Sequence, residues 1–240
     1  MLLQSDRHTK EDLQIWREIE SVDMLRSVNR KAIKSLNVIA GFCRDPCYCS
    51  VSWGKDSVVI ANLVTNLKPE VPLVWVRPIG AEMPYCQDVR DEFLRQHPNS
   101  DYRECEVDAD LWNDPSVSNE RAFLPARLAA GTRRRIVGVR ADESATRTLS
   151  MRCHGVETDE VCRPIGWWTI DDVFAFLAQH ELPVHPSYAM LGGGRYQRKH
   201  RRVASMGGEW GNQFGRNEWE MEYYPDIINR MKHAASKSNS

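Results

Sequence analysis

The chain has 240 residues, of which 42% are hydrophobic and 27% charged, with a formal net charge of −1. That length suffices for one α/β domain with a full core, and the near-neutral balance excludes nucleic-acid binding through overall basicity. No apolar run reaches the roughly 20 residues of a membrane span, residues Met1 to Lys10 lack a signal-peptide core, and seven cysteines without such a signal point to a reducing cytoplasm.

Helices are expected from about Glu11 to Phe42, broken near Ser27-Val28-Asn29. Leu13, Trp16, Ile19, Val22 and Leu25 recur at three-residue steps as one apolar face, and Ile33, Leu36, Ile39 and Ala40 as a second. Residues 1–45 are therefore expected to form a helical cap on a sheet edge, with a docking arm as the alternative. A first strand, about Tyr48 to Ser52, enters a polar Gly-containing turn, and a helix from about Asp56 to Leu67 leaves it. Val71 to Val76 is the near-continuous apolar run of a buried parallel strand. Gly80-Ala81-Glu82-Met83-Pro84 follows, then a helix from Tyr85 to His97 with Val89, Phe93 and Leu94 inward, and a third strand from Tyr102 to Val107. Asp108 to Asn119 reads as loop with Leu111 and Trp112 tucked under, Arg121 to Ala130 as a short helix, and Ile136 to Val139 as a fourth strand.

This alternation of strand and helix predicts an α/β fold: a doubly wound, mostly parallel, Rossmann-like sheet over residues 46–190. Residues 191–240 form an irregular basic segment and a closing helix from Trp219 to Met231 interrupted at Pro225. Ligands of such sheets lie beyond the carboxyl ends of the strands, so the first loop, Glu82 and Arg140 are expected on one rim.

The turn after the first strand carries the chemistry. Backbone N–H groups at a helix start are free and the helix dipole is positive there, so an anion fits. Lys55 adds a point charge, Ser52 and Ser57 can donate hydroxyl hydrogen bonds, and Asp56 could hold a magnesium ion that bridges phosphates. The Walker spacing is absent. Ser52-Trp53-Gly54-Lys55-Asp56-Ser57 resembles instead the Ser-Gly-Gly-Lys-Asp-Ser signature of the PP-loop family, which comprises ATP pyrophosphatases and phosphoadenosine-phosphosulfate (PAPS) reductases. Trp53 stands where that family has a glycine, which predicts a backbone with φ below zero there.

Three later blocks extend the resemblance to the PAPS reductase-like branch, of the adenine nucleotide alpha hydrolase type. They are Gly138-Val139-Arg140 with Glu143-Ser144 and Arg147; Pro164 to Leu177, with Trp167, Trp168 and Val173 as expected core; and Leu182-Pro183-Val184-His185-Pro186-Ser187-Tyr188. The resemblance implies that Ser52, Trp53, Gly54, Lys55, Asp56 and Ser57 hold the phosphates of ATP or of a sulfonucleotide. It implies that Val76 and its neighbours face adenine, that Arg140 and Arg147 reach phosphates, and that Lys55, Asp56 and Arg140 are catalytic with Mg2+ on Asp56. For Arg147 an ion pair with Glu143 one helical turn back is the competing role.

A reductase of this branch attacks sulfur with a thiolate near its C-terminus. Here no cysteine follows Cys162. The expectation is therefore an ATP pyrophosphatase that adenylates an acceptor in sulfur transfer, DNA phosphorothioation being the closest setting and a sulfur-donor protein a partner. The alternatives are sulfonucleotide reduction by an internal cysteine and a nucleotide-sensing regulator without turnover. Cys43, Cys47 and Cys49 fit standard zinc or iron–sulfur spacings poorly, Cys47 and Cys49 read as buried thiols, and Cys153 and Cys162, flanked by Arg152 and Arg163, are the candidate reactive thiols. Arg195, Arg198, Lys199, Arg201 and Arg202, with Tyr188, Tyr196, Trp210 and Phe214 nearby, are a candidate surface for DNA or another polyanion, extended by Arg133 to Arg135.

Overall fold

Thr9 sets the first helix. Its hydroxyl accepts a hydrogen bond from the Asp12 backbone N–H at 3.0 Å and the Asp12 carboxylate reaches back to the Thr9 backbone, a reciprocal cap that starts α1 (Lys10–Met24). The chain then runs through α2 (Asn29–Phe42), β1 (Tyr48–Val51), α3 (Lys55–Leu67), β2 (Leu73–Ile79), α4 (Cys86–Gln96) and β3 (Tyr102–Asp108). It continues as α5 (Asn119–Ala122), α6 (Leu124–Ala130), β4 (Arg135–Ile136), α7 (Ala145–His154), β5 (Val161–Cys162), α8 (Ile170–Gln179), α9 (Arg216–Tyr223) and α10 (Pro225–Ser238). The computed structural model describes residues 1–79, 82–108, 119–203, 206 and 215–238. The expected positions of Gly80, Ala81, Leu111, Trp112, Trp210 and Phe214 lie outside the described residues.

Among the described residues the sheet has five strands in the order β3-β2-β1-β4-β5, every pairing parallel. This is the expected doubly wound α/β sheet. Helices cover both faces, so β1 and the first half of β2 are apolar without alternation. From β1 the chain winds outward to β3, then returns to the other side of β1 for β4. The gap between the carboxyl ends of β1 and β4 is therefore the switch point of the sheet. The β4 ladder covers only Arg135 and Ile136, two residues of the longer strand expected; Val137 still donates its N–H to Cys162 O at 2.9 Å. Among the described residues no helix is long and apolar enough to cross a membrane.

Four residues expected inside are exposed. Val22, Leu25 and Ile33 are exposed, and α1 buries Asp12, Trp16 and Asp23 instead. A three-residue step turns about 300° per repeat, so a stripe at that spacing drifts off one face within two turns. Trp167 is 53% exposed, whereas Trp168 is buried and donates its indole N–H to Ser35 Oγ at 3.1 Å. Adjacent residues in a turn point apart, and only one of two can reach the core.

The terminal segments join the same core. The Met1 amino group bonds Leu182 O, Leu2 pairs with Val184, and Tyr223 donates its hydroxyl to buried Asp12. Asp12 also accepts the N–H groups of Leu191 and Gly193, fixing the glycine-rich segment onto α1.

Candidate functional site

At the switch point lies a cavity of about 360 Å³ lined by Ser52, Gly54, Lys55, Asp56 and Ser57 from the first loop and by Val76 from β2. Val137, Gly138, Val139, Glu143 and Arg147 line its other wall, with Phe123, Tyr188, Arg202 and Val203 around the mouth.

The loop has the phosphate-binding form. Gly54 is the extended N-cap of α3 and, having no side chain, offers no cap of its own to that helix. Ser57 is a brace: its hydroxyl donates to Gly54 O at 3.0 Å and accepts from the Ser52 N–H at 3.2 Å. Trp53 corrects the sequence reading. Its φ is +59°, the left-handed region that glycine favours, and its indole leaves the cavity to pack between Phe93 and Tyr102. The loop keeps a glycine-like conformation with a large side chain because burying that indole offsets a strain of about 1–2 kcal/mol.

Lys55, Asp56 and Arg140 form a chain of charges. Lys55 Nζ lies 2.7 Å from Asp56 Oδ2, and Arg140 Nε donates to Asp56 Oδ1 at 2.6 Å. Burial favours the neutral form of each, but their mutual attraction wins: the carboxyl pKa is lowered and both cation pKa values are raised. Lys55 is therefore a fixed positive charge on the cavity wall. Arg140 does not line the cavity. Its guanidinium is buried against Asp56, Asp142 and the Trp168 carbonyl, so it acts on a ligand only through Asp56, contrary to the expected phosphate contact.

The expected magnesium ligand does not fit as a resident site. Both Asp56 oxygens are engaged by cations, and among the described residues no cluster of three or more His, Cys, Asp or Glu could hold a metal. No step is assigned to a metal here.

Arg147 makes the expected ion pair with Glu143 and also lines the cavity. Glu82 is engaged by Arg77 at 2.8 Å, in a cluster with Glu104 and Arg90, and does not line the cavity. Tyr188 is the residue that sequence reasoning underused. Its hydroxyl accepts the Lys55 backbone N–H at 3.1 Å and its ring lies 5.4 Å from the Lys55 ammonium. The Pro-x-Tyr element was visible in the sequence, but not that it folds back onto the loop.

No cysteine lines the cavity. Cys47 and Cys49 are buried with raised thiol pKa values, as expected. Cys162 is also fully buried, its thiol pushed up to about 12 chiefly by burial, which removes it as a reactive thiol. Cys153 is exposed. The basic segment is likewise corrected. Arg198 is buried in a two-bond pair with Asp23, Arg201 is buried beside Tyr196 and Trp219, and Arg195 pairs with Glu222. Arg133 meets Glu160, Arg134 stacks on Phe42, and Arg202 reaches the cavity. Arg198 and Arg201 are thus built into the fold, whereas Arg195, Lys199 and Arg202 stay exposed.

The family model described as phosphoadenosine phosphosulfate reductase domain matches residues 46–191. A phosphoadenosine 5′-phosphosulfate reductase from Synechococcus sp. is 25% identical over 157 residues, 58% of this chain and 67% of that relative. Among solved structures, the PAPS reductase of Candida auris in complex with phosphate superimposes with a TM-score of 0.51 at 14% identity, covering 75% of this chain and 92% of that one. The U34-tRNA thiolase NcsA of Methanococcus maripaludis, with its [4Fe-4S] cluster, gives 0.50 at 12% identity, covering 86% and 79%. At these identities the two structures are similar to this chain in fold alone.

Proposed function

The chain belongs to the phosphoadenosine phosphosulfate reductase domain family, and from that premise we propose that it is a nucleotide-dependent sulfur-transfer enzyme that cuts ATP into AMP and pyrophosphate while activating an acceptor. The observation that carries this reading is the cavity lining: the start of α3, Lys55 and Arg147, with no thiol beside them. Reduction of a sulfonucleotide needs a thiolate within reach of sulfur. Adenylation needs none. An acceptor oxygen attacks the α-phosphorus, the bond to the bridging oxygen breaks, and pyrophosphate leaves with that electron pair. A phosphodiester oxygen is already anionic at neutral pH, so no proton has to leave the acceptor.

The protein's part is positioning and charge. Lys55 faces the leaving pyrophosphate, Asp56 and Arg140 hold Lys55 in place, and the start of α3 binds phosphate oxygens. Val76, Phe123, Val137 and Val139 offer an apolar slot for the base. The acceptor in view is a DNA phosphodiester, as the sequence resemblance suggests. The family relationship favours one second reading, PAPS as the nucleotide, with the thiol supplied from outside the cavity.

The test is incubation with ATP in magnesium buffer, with and without DNA and a sulfide donor, resolving AMP, ADP and pyrophosphate. AMP and pyrophosphate are expected, with turnover lowered about 10²–10³-fold by Lys55→Ala, the loss typical of one transition-state charge. Sulfite release from PAPS with a dithiol, and no AMP from ATP, would replace this reading by the reductase one.

A further inference from the structure

A second cleft of about 450 Å³ adjoins the nucleotide cavity. The two share Phe123, Val137, Val139 and Arg147, so they are continuous along the β4 face. The floor of the second cleft holds Arg135 and Arg163, and Thr146 and Ser150 line it from α7, one helical turn apart. Among the described residues no carboxylate lines it.

That absence is unusual in this protein. Arg77, Arg90, Arg140, Arg198 and Arg216 each meet an acidic partner. Among the described residues Arg135 and Arg163 have no such partner. Nε and Nη1 of Arg135 and Nη1 of Arg163 are buried donors without a well-formed hydrogen bond, the Tyr48 hydroxyl lying beside Arg135 as a neutral neighbour. Buried unpaired donors and adjacent like charges both destabilise a fold, so a site that keeps them holds them for a ligand. Arg135 lies opposite Val161 in the β4–β5 ladder, two residues before Arg163, and burial followed by the Arg135 charge lowers the Arg163 pKa. Arg135 is further fixed by stacking 4.5 Å from the Phe123 ring centroid. Two oriented guanidinium forks beside two hydroxyls match a tetrahedral oxyanion.

We propose that this cleft is an anion subsite that receives a phosphate group of the acceptor, next to the nucleotide. The assignment rests on the function proposed above and gives its second substrate a chemical class: a phosphate ester rather than a neutral or cationic molecule. Arg147, on the wall common to both cavities, stands between the two anions.

The test is calorimetric titration of inorganic pyrophosphate into protein saturated with α,β-methylene ATP, so that the first loop is filled. One further equivalent should bind. Arg135→Gln and Arg163→Gln should each weaken it at least about tenfold, with the ATP analogue changed less than about twofold. Arg163→Lys, which keeps charge but not the fork, should fall between. Thermal unfolding without anion should show both Gln variants as stable as the parent or more so, because each removes a half-buried cation that has no acidic partner among the described residues. No second equivalent, unchanged affinity in the Gln variants, or a collapse of their stability would each overturn the proposal. A loss seen with adenosine 3′,5′-bisphosphate but not with AMP would assign the cleft to the nucleotide's own ribose and overturn the acceptor assignment. Failure of the parent to bind the ATP analogue would instead overturn the ATP reading. Pyrophosphate binding that still depended on Arg135 and Arg163 in Lys55→Ala protein would then leave the cleft standing.

Discussion

Gly138 has no room for a methyl group. A Cβ there would lie 2.9 Å from the Asp56 carbonyl carbon and 3.0 Å from its oxygen, so the strand that brings Arg140 passes directly over the start of α3. Gly138→Ala should push the loop away from β4, costing about 1–3 kcal/mol of stability and at least about tenfold in affinity for α,β-methylene ATP; urea unfolding and calorimetry measure the two. His185 is a second residue-scale test. Its Nε2 lies 2.6 Å from Pro84 O, so that nitrogen carries the proton and Nδ1 accepts the Ser187 backbone N–H at 3.2 Å. Burial pushes its pKa from 6.5 down to about 3. The unfolded chain takes up this proton below pH 6.5 and the folded chain does not until about pH 3. Its contribution is therefore complete above pH 6.5 and falls as the pH drops, by about 2 kcal/mol at pH 5. His185→Gln should flatten the stability-versus-pH curve between pH 6.5 and 4, as read by urea unfolding at each pH; an unchanged slope would place the effect elsewhere.

Helix α8 is held at its first turn by one carboxylate. Asp172 accepts from the Thr169 backbone N–H at 2.7 Å and from its hydroxyl at 2.8 Å, and Thr169 caps the helix in return. The same side chain pairs with Arg26 at 2.8 Å and with Lys31, which joins α8 to the turn between α1 and α2 and to the first turn of α2. Those cations hold the carboxyl well below the usual carboxylate range even though burial opposes it. Asp172→Ala should cost about 2–3 kcal/mol, below the full value of a broken buried pair because both cations are partly exposed and can turn to water. Asp172→Asn, which keeps one oxygen for the Thr169 N–H, should lose about half of that in the same urea measurement. The pattern Thr-x-x-Asp ahead of an apolar run made this helix start readable from sequence, whereas the two cationic partners are more than 140 residues away.

Across the whole molecule, the first helix, α8 and the C-terminal segment meet at Arg198. Its guanidinium binds both oxygens of Asp23, at 2.5 and 3.1 Å, and lies 3.8 Å from the Phe174 ring centroid. Both side chains of the pair are more than nine-tenths buried. Arg198→Ala leaves the Asp23 carboxylate without a partner in the interior and should cost about 3–5 kcal/mol. Arg198→Met combined with Asp23→Leu removes both charges and should recover most of the loss, which a double-mutant cycle in urea reads directly. A charge placed for polyanion binding would show the reverse pattern: little loss of stability and weaker binding.

Local pattern was enough for some of this. The apolar runs at Val71 to Val76 and at Val58 to Val64, with helical spacing between strands, specified the parallel sheet, because a strand or helix buried on all sides must be apolar on all sides. The polar turn between Tyr48 and Leu67 marked the loop that lines the cavity, because a strand feeding a helix start is a local event. Only the tertiary structure decided what each charge does. Arg140 points at Asp56 instead of the ligand, Ser57 at its own loop, Trp53 into the core, and Arg198 into a buried pair. Arg135 and Arg163, which the sequence set in two unrelated contexts, line one cleft. A charged side chain finds its partner through the fold, between residues far apart in the chain, and composition and spacing record its presence but not its neighbour.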